Sequence, residues 1–166
     1  MTRDDRYWMG KAIEQARRAE AIGEVPIGAV IVKDGVVIAR GYNLRESRQD
    51  PAAHAELIAI RKAAKKLSNW RLTGATLYVT LEPCTMCMGA VILSRLDRVV
   101  FGSYDPKGGA AGSLFDFSDD KRLNHSVTLT PGVRGEETSA MLSQFFARLR
   151  AEKKRVKDIP SGCEKR

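Results

Sequence analysis

The segment from residue 75 to residue 102 constrains the fold of this 166-residue chain more than any other. Residues 75–80 (Ala-Thr-Leu-Tyr-Val-Thr) have the composition of a strand, and so do residues 98–102 (Arg-Val-Val-Phe-Gly). The apolar stretch between them predicts a helix over 84–94. A strand, a helix and a strand of these lengths form a right-handed crossover, which places the two strands parallel in one sheet.

The other predicted elements extend this crossover into an α/β domain. Asp34-Gly35 between two β-rich runs predicts a hairpin, and residues 27–32 are apolar on both faces, as in a central strand. The predicted helices cover residues 4–22, 51–67, 84–94 and 135–155, and the predicted strands cover 27–32, 36–39, 75–80, 98–102 and 126–130. The pattern indicates one α/β domain, and the element order favours a three-layer α/β/α sandwich around a mixed five-stranded sheet.

The first chemical motif lies inside the crossover, in Pro83-Cys84-Thr85-Met86-Cys87. Pro83 suits the first position of a helix, and two thiols three positions apart share one helix face. The positive end of the helix dipole favours thiolates in the first turn. Cys84 and Cys87 are therefore predicted zinc ligands.

The second motif is His54-Ala55-Glu56. Residues two apart on a helix point in different directions, so His54 and Glu56 serve one site only close to a helix start. Asp50 as N-cap and Pro51 as first helical residue predict such a start. With the two thiols, His54 makes three protein ligands, which is typical of a catalytic zinc site with one position open for water. Glu56 then remains free to move protons.

Composition and charge narrow the class of protein. The chain is 43% apolar, and no run approaches the ~18 apolar residues of a membrane span. The N-terminus lacks an apolar signal core, so we expect a cytoplasmic protein. The net charge is +8, and residues 147–166 hold eight basic and three acidic side chains. This charge favours a polyanion such as RNA, although a solvated helix end and a disordered tail explain it equally well.

The two motifs together resemble those of the zinc-dependent nucleoside and nucleobase deaminases, in which His-x-Glu is followed by Pro-Cys-x-x-Cys. Further stretches resemble the bacterial tRNA adenosine deaminases, and these are residues 27–32, Asn43, 80–84 and 105–113 (Asp-Pro-Lys-Gly-Gly-Ala-Ala-Gly-Ser). The resemblance extends from about Trp8 to Leu149, and the 105–113 stretch is the part that points to the tRNA enzymes.

This resemblance implies a cytidine deaminase-like fold over residues 1–155, followed by a disordered basic tail at 156–166. It implies zinc-dependent conversion of adenosine to inosine at the wobble position of a tRNA anticodon loop, by a homodimer. The implied metal ligands are His54, Cys84 and Cys87, and the implied catalytic residue is Glu56. The implied substrate contacts are Asn43, Ala55, Pro83, Asp105, Lys107 and Asn124.

Three alternatives remain open on the residues alone. A thiol redox protein explains Cys-x-x-Cys, but it explains neither His54 nor Glu56. A structural zinc module that binds RNA needs a fourth ligand, which only His125 or Cys163 offers. A deaminase of free guanine, cytosine or cytidine uses the same zinc chemistry and differs only in its pocket.

Overall fold

A mixed five-stranded sheet separates two layers of helices in the computed structural model, which describes residues 3–159. The elements are α1 (Asp5–Ala21), β1 (Gly28–Lys33), β2 (Val36–Tyr42), α2 (Ala55–Leu67), β3 (Ala75–Leu81), α3 (Thr85–Leu93), β4 (Arg98–Ser103), β5 (Thr128–Thr130) and α4 (Gly135–Lys157). The predicted α/β/α sandwich is confirmed. Within residues 3–159, no helix is both long and apolar enough to cross a membrane.

The strand order is β2-β1-β3-β4-β5. β1 pairs antiparallel with both β2 and β3, whereas β3, β4 and β5 are parallel, as the crossover predicts. Asp34 and Gly35 both have positive φ, at 50° and 70°, which is the backbone of a tight β-hairpin turn. β1 is therefore an interior strand, and this explains why it is apolar on both faces.

Successive side chains along each strand point to opposite faces of the sheet, so they are buried alternately against one helical layer and the other. Leu77 and Val79 of β3 belong to a large core with α2 and α3, while Tyr78 between them packs with residues of α1. Val99 and Val100 of β4 divide in the same way. The carboxyl ends of β3 and β4 thus emerge between two packed layers, where the polar residues that follow them form a cleft.

Both motif helices begin later than predicted. α2 starts at Ala55 with His54 as its N-cap, so the predicted start at Asp50 and Pro51 is wrong. The physical reason is local: the Asp50 carboxylate accepts a hydrogen bond from the Ala52 N–H at 2.9 Å and closes a turn ahead of the helix. α3 likewise starts at Thr85 with Cys84 as N-cap, which leaves Pro83 outside the helix.

The last helix also differs from the prediction. α4 continues to Lys157, so residues 156 and 157 are helical and do not belong to the predicted tail. Residues 160–166, including Cys163, lie outside the described residues. Thr138 is the residue of α4 that is fully buried, and the apolar side chains of Met141, Leu142, Phe145 and Leu149 are only partly buried.

Gly41 sets the depth at which α2 sits on the sheet. A Cβ atom at this position would lie 2.3 Å from the carbonyl oxygen of Ala55 and 2.9 Å from the nitrogen of Ala59. The first turn of α2 therefore rests directly on the backbone of β2. His54 and Glu56 flank the residue that makes this contact.

Candidate active site

The two helix starts bring one imidazole and two thiols together. The Nδ1 atom of His54 lies 3.7 Å from the Sγ of Cys84 and 3.5 Å from the Sγ of Cys87. The ligand atoms of these residues all lie within 4.8 Å of one another. Two sulfurs and one imidazole nitrogen are donor types that zinc prefers, and this spacing suits a single ion.

The three groups perturb one another's protonation. A hydrogen bond from the Cys87 thiol, opposed by burial and reinforced by His54, lowers the pKa of Cys84 to about 4. The same bond, together with burial, raises the pKa of Cys87 far above its ordinary value. The hydrogen bond with Cys84 raises the pKa of His54. A cation that accepts three lone pairs would replace the protons that these groups now share.

Glu56 lies in the first turn of α2 and is only 4% exposed. Burial raises its pKa to about 7, although a hydrogen bond from its own backbone, the charge on His54 and the Cys87 thiol each oppose that rise. A carboxyl group with this pKa exchanges protons readily near neutral pH, as a general acid–base catalyst requires.

His125 does not belong to this cluster. Its Nε2 lies 2.6 Å from the carbonyl oxygen of Leu96, on the loop that leads into β4. Among residues 3–159, His54, Cys84 and Cys87 are the group placed to hold a metal ion. A closed structural zinc site would need a fourth ligand, and His125 does not supply it in this structure.

A cleft of about 740 Å³ opens above Glu56 and the ligand cluster. Four of the predicted substrate contacts line it, namely Asn43, Ala55, Asp105 and Lys107. The other two do not: Pro83 is buried with its carbonyl bonded to the Ala110 N–H at 2.8 Å, and Asn124 is exposed on the loop before β5. The volume exceeds the size of one base, so there is room for an attached ribose and phosphate.

Asn43 is held rigidly at the cleft wall. It is 6% exposed, its Nδ2 donates to the Val25 carbonyl at 3.3 Å, and its Oδ1 accepts from the Arg45 N–H at 3.1 Å. A side chain fixed in this way presents its remaining hydrogen-bonding capacity in one direction.

Three cleft residues had no role predicted from the sequence, namely Arg45, Glu82 and Phe146. Arg150 of α4 also lines the cleft, and it belongs to the basic segment 147–166 that was expected to favour RNA. Phe146 is a large apolar side chain, yet it is 41% exposed. The sequence did contain a sign of this exposure, because Phe146 stands four residues before Arg150, and residues at this spacing share one face of a helix.

The fold and the site define a deaminase, and residues 3–150 match the family described as MafB19-like deaminase. A tRNA-specific adenosine deaminase of Bacillus subtilis (strain 168) is 55% identical over 154 residues, which is 93% of this chain and 95% of that protein. One from Haemophilus influenzae is 53% identical over 90% of this chain and 87% of that protein.

A solved structure agrees with these relatives. It comes from a study of A-to-I editing by tRNA:A34 deaminases at the wobble position of transfer RNA, and it superposes with a TM-score of 0.78 at 44% identity. The match covers 82% of this chain and 99% of that one. The chain belongs to the family of tRNA-specific adenosine deaminases.

Proposed function

We infer that this protein hydrolyses the wobble adenosine of a tRNA anticodon loop to inosine and releases ammonia. The observation that carries this inference is a buried acid, Glu56, beside a two-sulfur, one-nitrogen cluster at the floor of an open cleft. The cleft rim carries the basic residues Arg45, Lys107 and Arg150. The tRNA-specific relatives supply the substrate class.

His54, Cys84 and Cys87 would hold one zinc ion through the imidazole and the two sulfurs. Zinc bound there would supply the Lewis acidity that activates a water at neutral pH. Glu56 would take a proton from the attacking water and deliver it to ring N1 of adenine. It would then carry a second proton, from the new hydroxyl on C6, to the departing amine, which leaves as ammonia. Its pKa of about 7 suits both directions of this transfer.

The substrate base must leave its stack to reach Glu56, as a nucleotide of a single-stranded loop does most easily. Asn43, Ala55 and Asp105 line the cleft and are proposed to hold the extruded nucleotide. Lys107, Arg45 and Arg150 are proposed to face phosphates. Contacts from Pro83 and Asn124 stay predictions, because neither residue lines the cleft.

We also propose that the protein is a homodimer and that it acts in the cytoplasm, where its tRNA substrate resides. α3 offers a candidate contact face, since Met86 and Leu93 are 37% and 70% exposed and seven positions apart. Leu93→Glu should lower the molar mass measured by sedimentation equilibrium, whereas Ile22→Glu at another exposed apolar position should not. An unchanged mass for Leu93→Glu would exclude this face.

The function is tested by measuring inosine in an anticodon stem-loop transcript beside ammonia release from free adenosine, cytidine and guanine. We expect inosine at the wobble position and no comparable turnover of the free compounds. Equal activity on free adenosine would overturn the tRNA assignment and favour a free-nucleoside deaminase. Metal analysis of the same preparation should find zinc near one per chain, and a redox-active disulfide without zinc would overturn the hydrolytic mechanism.

A further inference from the structure

Glu82 is a second buried acid at this cleft, and its partners differ from those of Glu56. It follows the last residue of β3 and is 2% exposed. Its carboxylate accepts hydrogen bonds from the N–H groups of Asp105 at 2.8 Å, Ala111 at 3.1 Å and Ser113 at 2.9 Å, and from the Ser113 hydroxyl. All four donors belong to residues 105–113, which we call the Glu82 loop.

The Glu82 loop is also tied to the corner that carries Cys84. The Ala110 N–H donates to the carbonyl of Pro83 at 2.8 Å, and Gly109 forms a bridge with Cys84. The Glu82 N–H donates to the carbonyl of Ser103 at 2.9 Å and so extends the pairing of β3 with β4. Strand end, loop and thiol corner therefore form one hydrogen-bonded unit.

This unit positions two of the proposed substrate contacts. The Asp105 N–H donates directly to the Glu82 carboxylate, and the Asp105 carbonyl accepts from the Gly109 N–H at 2.8 Å. The Asp105 side chain accepts from the N–H of Lys107 at 3.1 Å. The places of Asp105 and Lys107 at the cleft wall thus depend on the acceptors that Glu82 provides.

A role for Glu82 in proton transfer does not fit these contacts. Both oxygens are engaged by three main-chain donors and one hydroxyl, and main-chain N–H groups cannot give up their protons. A buried carboxylate with this many donors is well compensated and rigid.

We propose that Glu82 is a positioning residue, which locks the Glu82 loop to the Cys84 corner so that Asp105 and Lys107 meet the RNA nucleotide in register with the reacting base. This inference rests on the proposed function for its substrate. Its structural half, that Glu82 orders residues 105–113, stands independently of the reaction.

Gly109 provides a matched test of this lock. A Cβ atom there would lie 2.2 and 2.6 Å from the two carboxylate oxygens of Glu82, and only Glu82 atoms are that close. Gly109→Ala should therefore displace the carboxylate and loosen the loop. Glu82→Ala removes the three atoms that lie nearest to this Cβ, so Gly109→Ala should add little to that variant. The two substitutions form a double-mutant cycle.

The first measurement is hydrogen exchange of the amides at 105–113, which requires no substrate. Glu82→Gln replaces one acceptor oxygen by an NH₂ group that faces N–H donors, so these amides should exchange at least ~10-fold faster. Ser113→Ala, which removes only one donor, should have a smaller effect. Glu14→Gln on α1, at an exposed ion pair, is the control. Unchanged protection in Glu82→Gln would overturn the proposal.

The second measurement is kinetic, on the anticodon stem-loop. Misplaced substrate contacts should raise KM about 10-fold and lower kcat/KM about 10- to 100-fold, with zinc per chain unchanged. A merely structural role would lower zinc content and kcat together and leave KM unchanged, and that result would overturn the proposal. The proposal would also be overturned if Gly109→Ala lowered kcat/KM by the same factor in the parent protein and in the Glu82→Ala variant.

The two measurements separate failure of this inference from failure of the proposed function. If the parent protein forms no inosine in the stem-loop, the proposed function fails, while hydrogen exchange still decides whether Glu82 orders the loop. If the parent is active and Glu82→Gln matches it in both measurements, only this inference fails.

Discussion

Two polar clusters lie at opposite ends of β4. At its start, Arg98 donates to both oxygens of Asp5 at 2.9 and 2.6 Å and to the Thr130 hydroxyl at 2.7 Å. The Tyr78 hydroxyl completes the set with a 2.9 Å bond to Asp5. At the other end of the strand lies the cleft, with His54, Glu56 and the two thiols.

The clusters differ in how their charges are matched. Arg98 lowers the pKa of Asp5 mainly through its hydrogen bonds, so acid and base each hold the charged form of the other. In the cleft, burial raises the pKa of Glu56 to about 7, and the two thiols shift in opposite directions around one shared proton. We call the Asp5–Arg98 cluster matched, because its opposite charges pair with each other, and such a cluster stabilises a fold. We call the cleft cluster of His54, Glu56 and the two thiols unmatched, and such a cluster is suited to bind a cation and transfer protons.

The largest effect is expected where a ligand is removed from the unmatched cluster. Cys87→Ser should lose its zinc and all measurable turnover, and it should also lose stability, because the energy of metal binding is folding energy. Zinc per chain and thermal unfolding measure both. His125→Ala is the control and should keep its zinc, because its imidazole bonds to the Leu96 carbonyl instead. Zinc loss in His125→Ala would show a closed site and contradict the catalytic assignment.

Removal of the proton carrier comes next. Glu56→Gln should keep zinc and fold but lose turnover by about 10² to 10⁴, the usual contribution of general acid–base catalysis. Single-turnover inosine formation measures the loss without interference from product release. Near-parent turnover would mean that another group transfers the proton.

A smaller effect is expected from charges that belong to neither cluster. Truncation after Leu149 removes Arg150 and the basic end of α4, so it should weaken all RNAs about equally and flatten the dependence of affinity on salt, by about 0.7 to 0.9 in slope for each lost phosphate contact. Binding titrations at several salt concentrations measure the slope. Asn43→Ala is the comparison variant and should lower turnover with little change in slope. An unchanged slope after truncation would remove this segment from the RNA site.

The smallest effect is expected in the matched cluster, and it depends on pH. Because the pKa of Asp5 is lower in the folded state, its contribution is present above its unfolded pKa of ~3.9 and is lost as pH falls through the folded value. Asp5→Asn should lower the free energy of unfolding by about 1 kcal/mol at neutral pH, and this loss should shrink as pH falls below ~3.9. Urea unfolding from pH 7 to pH 3 tests this, with Asp34→Asn in the hairpin turn as control. A pH-independent loss would show that Arg98 does not act through charge.

The sequence predicted the parts of the site that depend on local spacing. Short intervals singled out His54 with Glu56 and Cys84 with Cys87, and the structure brings the ligand atoms of His54, Cys84 and Cys87 within 4.8 Å of one another, while their role as zinc ligands stays a prediction. The parallel pair β3 and β4 followed from the crossover. The start of α2 was predicted wrongly because Asp50 is an equally good residue for a turn. The partners of Glu82 were not predictable, since they are main-chain N–H groups 23 to 31 positions away, which every residue except proline carries.

The contact between Gly41 and α2 has a consequence for genetics. One added methyl group at this position would collide with the Ala55 carbonyl and shift the neighbours that flank it, His54 and Glu56. A screen for loss-of-function alleles should therefore recover substitutions at Gly41 as often as substitutions at the metal ligands. Gly41 would then be mistaken for a catalytic position, although its contribution is the absence of a side chain.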